Sequence, residues 1–209
     1  MPRPAPRTFP LVLVLALAAM PELGAAAAPA ASETPAGVAS DPEVMLGPLT
    51  REQVEEAYPL YVQAEAEAAI DPQAARELVG VPPGASLVVY FGTWCSDSRR
   101  ELGRFWRALD EIADQKGFSV EYVGVDRGKV EPAPLLAGVD LHHVPTFVVR
   151  REAVEVGRVV EKSPHGIERD LADLLCGRQQ GFLSATQDPP GAAGPKPTPA
   201  APAQGPTGG

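Results

Sequence analysis

Leu87-Val88-Val89-Tyr90-Phe91-Gly92-Thr93-Trp94-Cys95-Ser96-Asp97-Ser98-Arg99-Arg100 reads as a buried strand running into the first turn of a helix, with a cysteine at the junction. Leu87 to Phe91 is continuously apolar, β-branched and aromatic, the pattern of a strand covered on both faces. Beyond Ser98 the period changes, and Leu102, Phe105, Trp106, Leu109, Ile112 and Ala113 fall on one helical stripe. Cys95 then sits where unpaired backbone N–H groups and the positive end of a helix dipole converge. Those are the surroundings that activate a nucleophilic cysteine.

Working outward, Thr50-Arg51-Glu52-Gln53 fits a capping box, with Thr as N-cap and Gln three residues on. The helix it opens carries Val54, Ala57, Tyr58 and Tyr61, and Pro59 kinks or ends it. Asp71-Pro72 opens a second helix, Asp as cap and Pro at its first position. Val81-Pro82-Pro83-Gly84 closes that helix with a turn. Downstream, Phe118 to Val125 is the next apolar run, ending at Asp126. The helix between the two strands makes a βαβ unit, so the strands are expected to be parallel. Pro132 to Ala137 suits a short helix, and Thr146 to Arg150 with Val154 to Val160 an antiparallel hairpin. Ser163-Pro164 is expected to cap a last helix, whose buried stripe is Ile167, Leu171, Leu174 and Leu175 and whose stop is Gly177.

Strand, Trp-Cys-x-x and amphipathic helix resemble the active-site segment of the thioredoxin family, and Val144-Pro145-Thr146-Phe147 resembles its cis-proline segment. The fit is to single-cysteine, thioredoxin-like proteins with the motif Thr-Trp-Cys-x-Asp-Ser, and it spans roughly Ser86 to Gly177. The resemblance implies an α/β, thioredoxin-like fold: a central mixed sheet flanked by helices, here with an N-terminal helical extension. It also implies Cys95 as the nucleophile, Ser98 at the position of the family's second cysteine, and Trp94, Val144 and Pro145 as binding residues. In the family the cis-proline loop faces the nucleophile, and the backbone before the proline, here Val144, pairs with an extended peptide. Strong reductases carry a buried Asp six residues before the nucleophile; here that position is Val89.

The residues leave several readings open. Trp94 is either a platform beside the sulfur or surface packing. Asp97 is explained as a first-turn carboxylate that stabilises the helix, and it also competes with Cys95 for the same positive field. Ser96 and Ser98 cap the helix or donate to the sulfur. His142 or His143 close to Cys95 would support a thiolate or complete a metal site, but one cysteine with one or two histidines is too few ligands for zinc. No metal and no other cofactor is implied. The second cysteine, Cys176, ends the last helix. At about 1.5 Å per residue, roughly ten residues of helix carry it beyond the roughly 7 Å Cα limit for a disulfide with Cys95. It reads as a small core residue.

Two function classes remain. One is a monothiol thiol–disulfide oxidoreductase, in which Cys95 forms mixed disulfides with protein or small-molecule thiols and disulfides. The other is a non-catalytic thioredoxin-fold module that binds peptides or proteins along Val144-Pro145. A peroxide-reducing thiol lacks its Pro-x-x-x-Thr-x-x-Cys context.

The expected organisation is a signal peptide over 1–28, a linker over 29–47, the helical extension over 48–84, the thioredoxin-like domain over 85–180 and a disordered Pro/Ala/Gly-rich tail over 181–209. Arg3 and Arg7 supply the leader's basic region, Leu11 to Ala19 an apolar run too short to span a bilayer, and Ala25 to Ala31 small residues for cleavage. The protein is therefore expected to be exported, periplasmic or secreted, with no stable membrane anchor after cleavage. A net charge of −9 without a basic stripe offers no footprint for nucleic acid. Two distant cysteines are no disulfide scaffold, so the core must hold the domain together. N-terminal sequencing of exported protein is expected to start between Ala26 and Ser32; intact Met1 in the membrane fraction would overturn the leader.

Overall fold

The structure, a computed structural model, describes residues 43–187. The leader, the linker up to residue 42 and the tail from residue 188 lie outside the described residues. The apolar run at the centre becomes β2 (Ala85–Phe91), buried on both faces. It pairs in parallel with β3 (Ser119–Gly124), Leu87 against Val120 and Phe91 against Gly124, across the helix α4 (Ser96–Glu111). On its other side β2 pairs antiparallel with β4 (Thr146–Arg151), which turns back into β5 (Val154–Val160) with a bulge at Val149/Arg150. The last helix, α6, runs over Ile167–Leu175. A βαβ unit followed by ββα on one mixed sheet is the thioredoxin-like fold.

Two short strands extend that sheet. β1 (Gly47–Leu49) joins β3 antiparallel at one edge, and β6 (Gly181–Leu183) joins β5 in parallel at the other. The order is β1-β3-β2-β4-β5-β6. The first three helices are α1 (Arg51–Ala57), α2 (Pro59–Ala66) and α3 (Pro72–Glu77), and α5 (Ala133–Leu136) follows β3. The Thr50–Gln53 capping box is formed, Pro59 ends α1 and opens α2, and Asp71 caps α3 with Pro72 at its first turn.

Alternation along β2 divides the interior. Leu87, Val89 and Phe91 join Phe147, Val149 and Val159 under the stripe of α4 (Leu102, Phe105, Trp106, Leu109) and that of α6 (Ile167, Leu171, Leu174, Leu175). Val54, Tyr61 and Leu78 belong to the same cluster, so the N-terminal helices complete the main core. Arg51 fastens them to α4: it bonds Glu55 and Glu65 at 2.5 Å and Asp110 at 2.7 Å, and lies 5.6 Å over the Trp106 ring. Val88, Tyr90 and Val148 face the other way, into a smaller cluster with Val123, Val125, Val139 and Val144.

Some expectations need correcting. Ser163 does not cap α6. Gly166 does, at φ 103°, while the Ser163 hydroxyl donates to buried Asp170. A carboxylate inside the helix has taken the loop's donors instead. Ala113 lies beyond the end of α4 at φ 49° and is exposed, so the buried stripe stops at Ile112. β6 falls within the span assigned to the tail, because Gly181 to Leu183 find backbone partners on β5 and Leu183 is buried. β1 likewise starts in the last residue of the expected linker. The stop at Gly177 holds: Arg178 N–H donates to the Asp173 carbonyl and Gly177 N–H to that of Leu174, a Schellman cap.

Trp106 is fully buried, with the Tyr61 ring at 5.6 Å and the Tyr122 ring at 5.9 Å. Trp106→Ala is expected to cost roughly 3–5 kcal/mol in denaturant unfolding; a change near zero would mean the stripe does not carry the core.

Candidate functional site

The turn from β2 into α4 is shaped by Gly92. A side-chain carbon there would come within 2.5 Å of the Trp94 ring. The Gly92 N–H donates to Ser98 Oγ at 3.2 Å, and the Gly92 carbonyl accepts from Cys95 N–H at 2.9 Å and from the Tyr61 hydroxyl at 3.3 Å. Thr93 Oγ1 accepts from Met45 N–H at 3.4 Å, joining the turn to the approach to β1. Cys95 itself occupies the N-cap of α4 with extended backbone and makes no side-chain capping bond.

The sulfur is thereby left for the facing loop. Cys95 Sγ donates to the Val144 carbonyl at 3.5 Å, and the Val144–Pro145 peptide is cis. Thr146 Oγ1 donates to the His143 carbonyl at 2.7 Å, closing the same loop from β4. Cys95, Val144 and Pro145 are thus brought together. Cys95 is half-buried and unpaired, and so is Cys176, which packs against the main core as the C-cap of α6.

The other candidates are placed differently. Ser98 is fully buried, and its hydroxyl braces Gly92. The Trp94 indole folds back over the turn: its N–H donates to the Val125 carbonyl at 3.2 Å, and Arg127 stacks on the ring at 5.1 Å. Asp97 lies in the first turn of α4, as expected, and pairs with Arg100 at 2.6 Å. His142 pairs through Nε2 with Asp140 at 2.9 Å and His143 through Nδ1 with Glu161 at 3.2 Å, so each imidazole turns one nitrogen to a carboxylate. Among the described residues no three His, Cys, Asp or Glu side chains gather as a metal site.

Solved structures to which this chain is similar include three at low identity. A protein of unknown function from Pseudomonas aeruginosa is 15% identical over 57% of this chain and 79% of its own, with a TM-score of 0.38. A mutant thioredoxin from Halobacterium salinarum is 21% identical over 46% and 76%, with a TM-score of 0.31. The Fasciola hepatica thioredoxin is 21% identical over 50% and 90%, with a TM-score of 0.32. No family model and no curated protein matches the chain.

Sequence reading missed Glu101. Val89 is fully buried and apolar in β2, but α4 brings in a carboxyl of its own, with Glu101 buried to 3% exposure. Its spacing was the signal: three residues after Ser98 and four before Phe105, it falls on the buried side of the helix. Burial holds its carboxyl above the ordinary glutamate range, although Arg100, 3.1 Å away, pulls the other way. A raised folded-state value stabilises the fold below the ordinary glutamate value, and that contribution is lost as pH rises through the raised one. Glu101→Gln is therefore expected to be more favourable to stability at pH 7 than at pH 4. Equal effects at both pH values in denaturant unfolding would show that Glu101 ionises freely.

Proposed function

We propose that this is an exported thiol–disulfide protein in which Cys95 works through mixed disulfides with protein or small-molecule partners. The observation that carries the reading is Cys95 Sγ at the N-terminus of α4, 3.5 Å from the carbonyl that precedes cis Pro145. A substrate disulfide lying along Val144-Pro145 would displace that hydrogen bond. The Cys95 sulfur, as thiolate, attacks one substrate sulfur. A protein–substrate S–S bond forms, the substrate bond breaks, and the other sulfur leaves as a thiolate that takes a proton from water. An external thiol then attacks the mixed disulfide and restores Cys95. The external thiol is required because Cys176 caps the opposite end of α6 and the Ser98 hydroxyl is committed to Gly92.

A second reading, peptide binding without turnover, draws support from the same two departures, Ser98 as a brace and Val89 as core. Isolation of disulfide-linked partners from the exported fraction, with Cys95→Ser as the blank, separates the two. Partners specific to Cys95 are expected, and their absence would favour the binder. Ser98→Cys should further form an internal disulfide with Cys95 under mild oxidation and gain reductase activity on a model substrate with an added dithiol. That gain should stay below that of an ordinary thioredoxin, since Val89 offers no proton-transfer group. Two free thiols by mass spectrometry would exclude a thioredoxin-type pairing geometry at this helix start.

A further inference from the structure

The helices α2 and α4 touch at Gly103, where a side-chain carbon would lie 2.9 Å from the Ala64 carbonyl carbon. Past that contact a groove of about 470 Å³ runs between the end of α2 and the start of α4, reaching Ser96, the neighbour of Cys95. Arg99, Arg100 and Arg104 face it, in a chain whose net charge is −9. Two of these are engaged: Arg100 with Asp97 and Glu101, Arg104 with Glu168. Arg99 is half-buried, and its guanidinium makes no hydrogen bond or ion pair among the described residues. Glu67 on the rim accepts from Gln63 at 2.8 Å and forms no ion pair with Arg99.

Arg99 also follows Cys95 into the first turn of α4. Its backbone N–H donates to the Cys95 carbonyl at 3.1 Å, which joins the two residues across that turn. A half-buried guanidinium without a counter-ion lacks the charge-assisted bonds that its planar fork forms best with a carboxylate. The groove's size falls in the range of small-molecule sites.

Building on the mixed-disulfide reading of Cys95, we infer that its substrates include low-molecular-weight disulfides bearing a carboxylate, which Arg99 binds in this groove. The exchange step is unchanged: Cys95 sulfur bonds to the substrate sulfur, the partner sulfur leaves as thiolate, and Arg99 holds the carboxylate without entering the chemistry. Arg99 is thus a specificity residue.

The test follows the loss of the Cys95 thiol in the full chain with three small disulfides: dianionic 3,3′-dithiodipropionate, neutral bis(2-hydroxyethyl) disulfide and dicationic cystamine. The neutral compound normalises the intrinsic reactivity of each variant. Arg99→Gln is expected to lower the anionic-to-neutral rate ratio by about three- to tenfold, the effect of removing one largely solvated charge in contact with the ligand's carboxylate. Arg99→Lys should keep most of the preference, and high salt should flatten it in the unaltered protein. An anionic-to-neutral ratio unmoved by Arg99→Gln overturns the groove assignment alone. No reaction with any of the three overturns the mixed-disulfide reading, and the groove assignment with it.

Discussion

Gly92 has no room for a side chain, and the Cys95 end of the molecule is built around that restriction. Its N–H, its carbonyl and the space beside its Cα are all taken, by Ser98, by Cys95 with Tyr61, and by the Trp94 ring respectively. A carbon added there must push the indole off, and with it the bond to the Val125 carbonyl and the stacking of Arg127. The buried Ser98 hydroxyl then has a physical reason for its place: it meets a backbone N–H that the tight turn would otherwise leave without a partner, and such a loss costs on the order of 1–3 kcal/mol. What looks in sequence like a missing thiol is in space a brace for the turn that aims the remaining one.

A second constraint joins the helices. Glu101, Glu168 and Asp170 are all buried along the contact between α4 and the start of α6. Glu168 Oε1 accepts from Asp71 N–H at 2.8 Å and from Arg104 at 2.9 Å. Asp170 accepts from the Ser163 hydroxyl and from His165 N–H at 3.2 Å, and shares a hydrogen bond with His165 Nδ1 at 2.9 Å. Ionic groups in such positions add little net stability, because desolvation offsets their attraction. Removing one partner, however, leaves a buried charge uncompensated. The seam therefore fixes where α6 begins and ties it to the cap of α3, whose Asp71 also accepts from Arg169.

These two features mark where sequence reading stops. The four central strands, the βαβ crossover, the hairpin and the capping box at Thr50 were legible, because each is written in local periodicity or in a cap motif. The facing of Cys95 by Val144 and Pro145 was reachable only through resemblance. Ser98, Trp94 and the seam were not legible as what they are, since their partners lie across the fold or in the backbone: Gly92 N–H, the Val125 carbonyl, Asp71 N–H. Ser163-Pro164 misled for the same reason; a cap signal cannot show that Asp170, seven residues on, claims the hydroxyl. β6 was missed because three residues paired to an edge carry almost no pattern of their own.

Trp94 and Cys95 pack on the smaller of the two cores, with Leu136 and Leu141 from the segment after β3. That segment is held at its start by the Asp126 carboxylate, which accepts from the N–H groups of Gly128, Val130 and Glu131 at 3.0, 2.7 and 2.8 Å. Those bonds hold its carboxyl below the usual carboxylate range. At its far end Arg158 of β5 donates to the carbonyls of Val139 and Asp140 at 3.0 and 3.2 Å. Between the two anchors lie α5 and a few apolar contacts, whereas the opposite face of the sheet carries α4, α6 and the N-terminal helices. Regions with few buried apolar contacts open at lower free energy than the global fold. The segment covering the smaller core is therefore the part of this architecture that can yield while the main core stays closed. Because Cys95 and the Val144 carbonyl stand on that side, the surroundings of the thiol can change without loss of the scaffold that aims it.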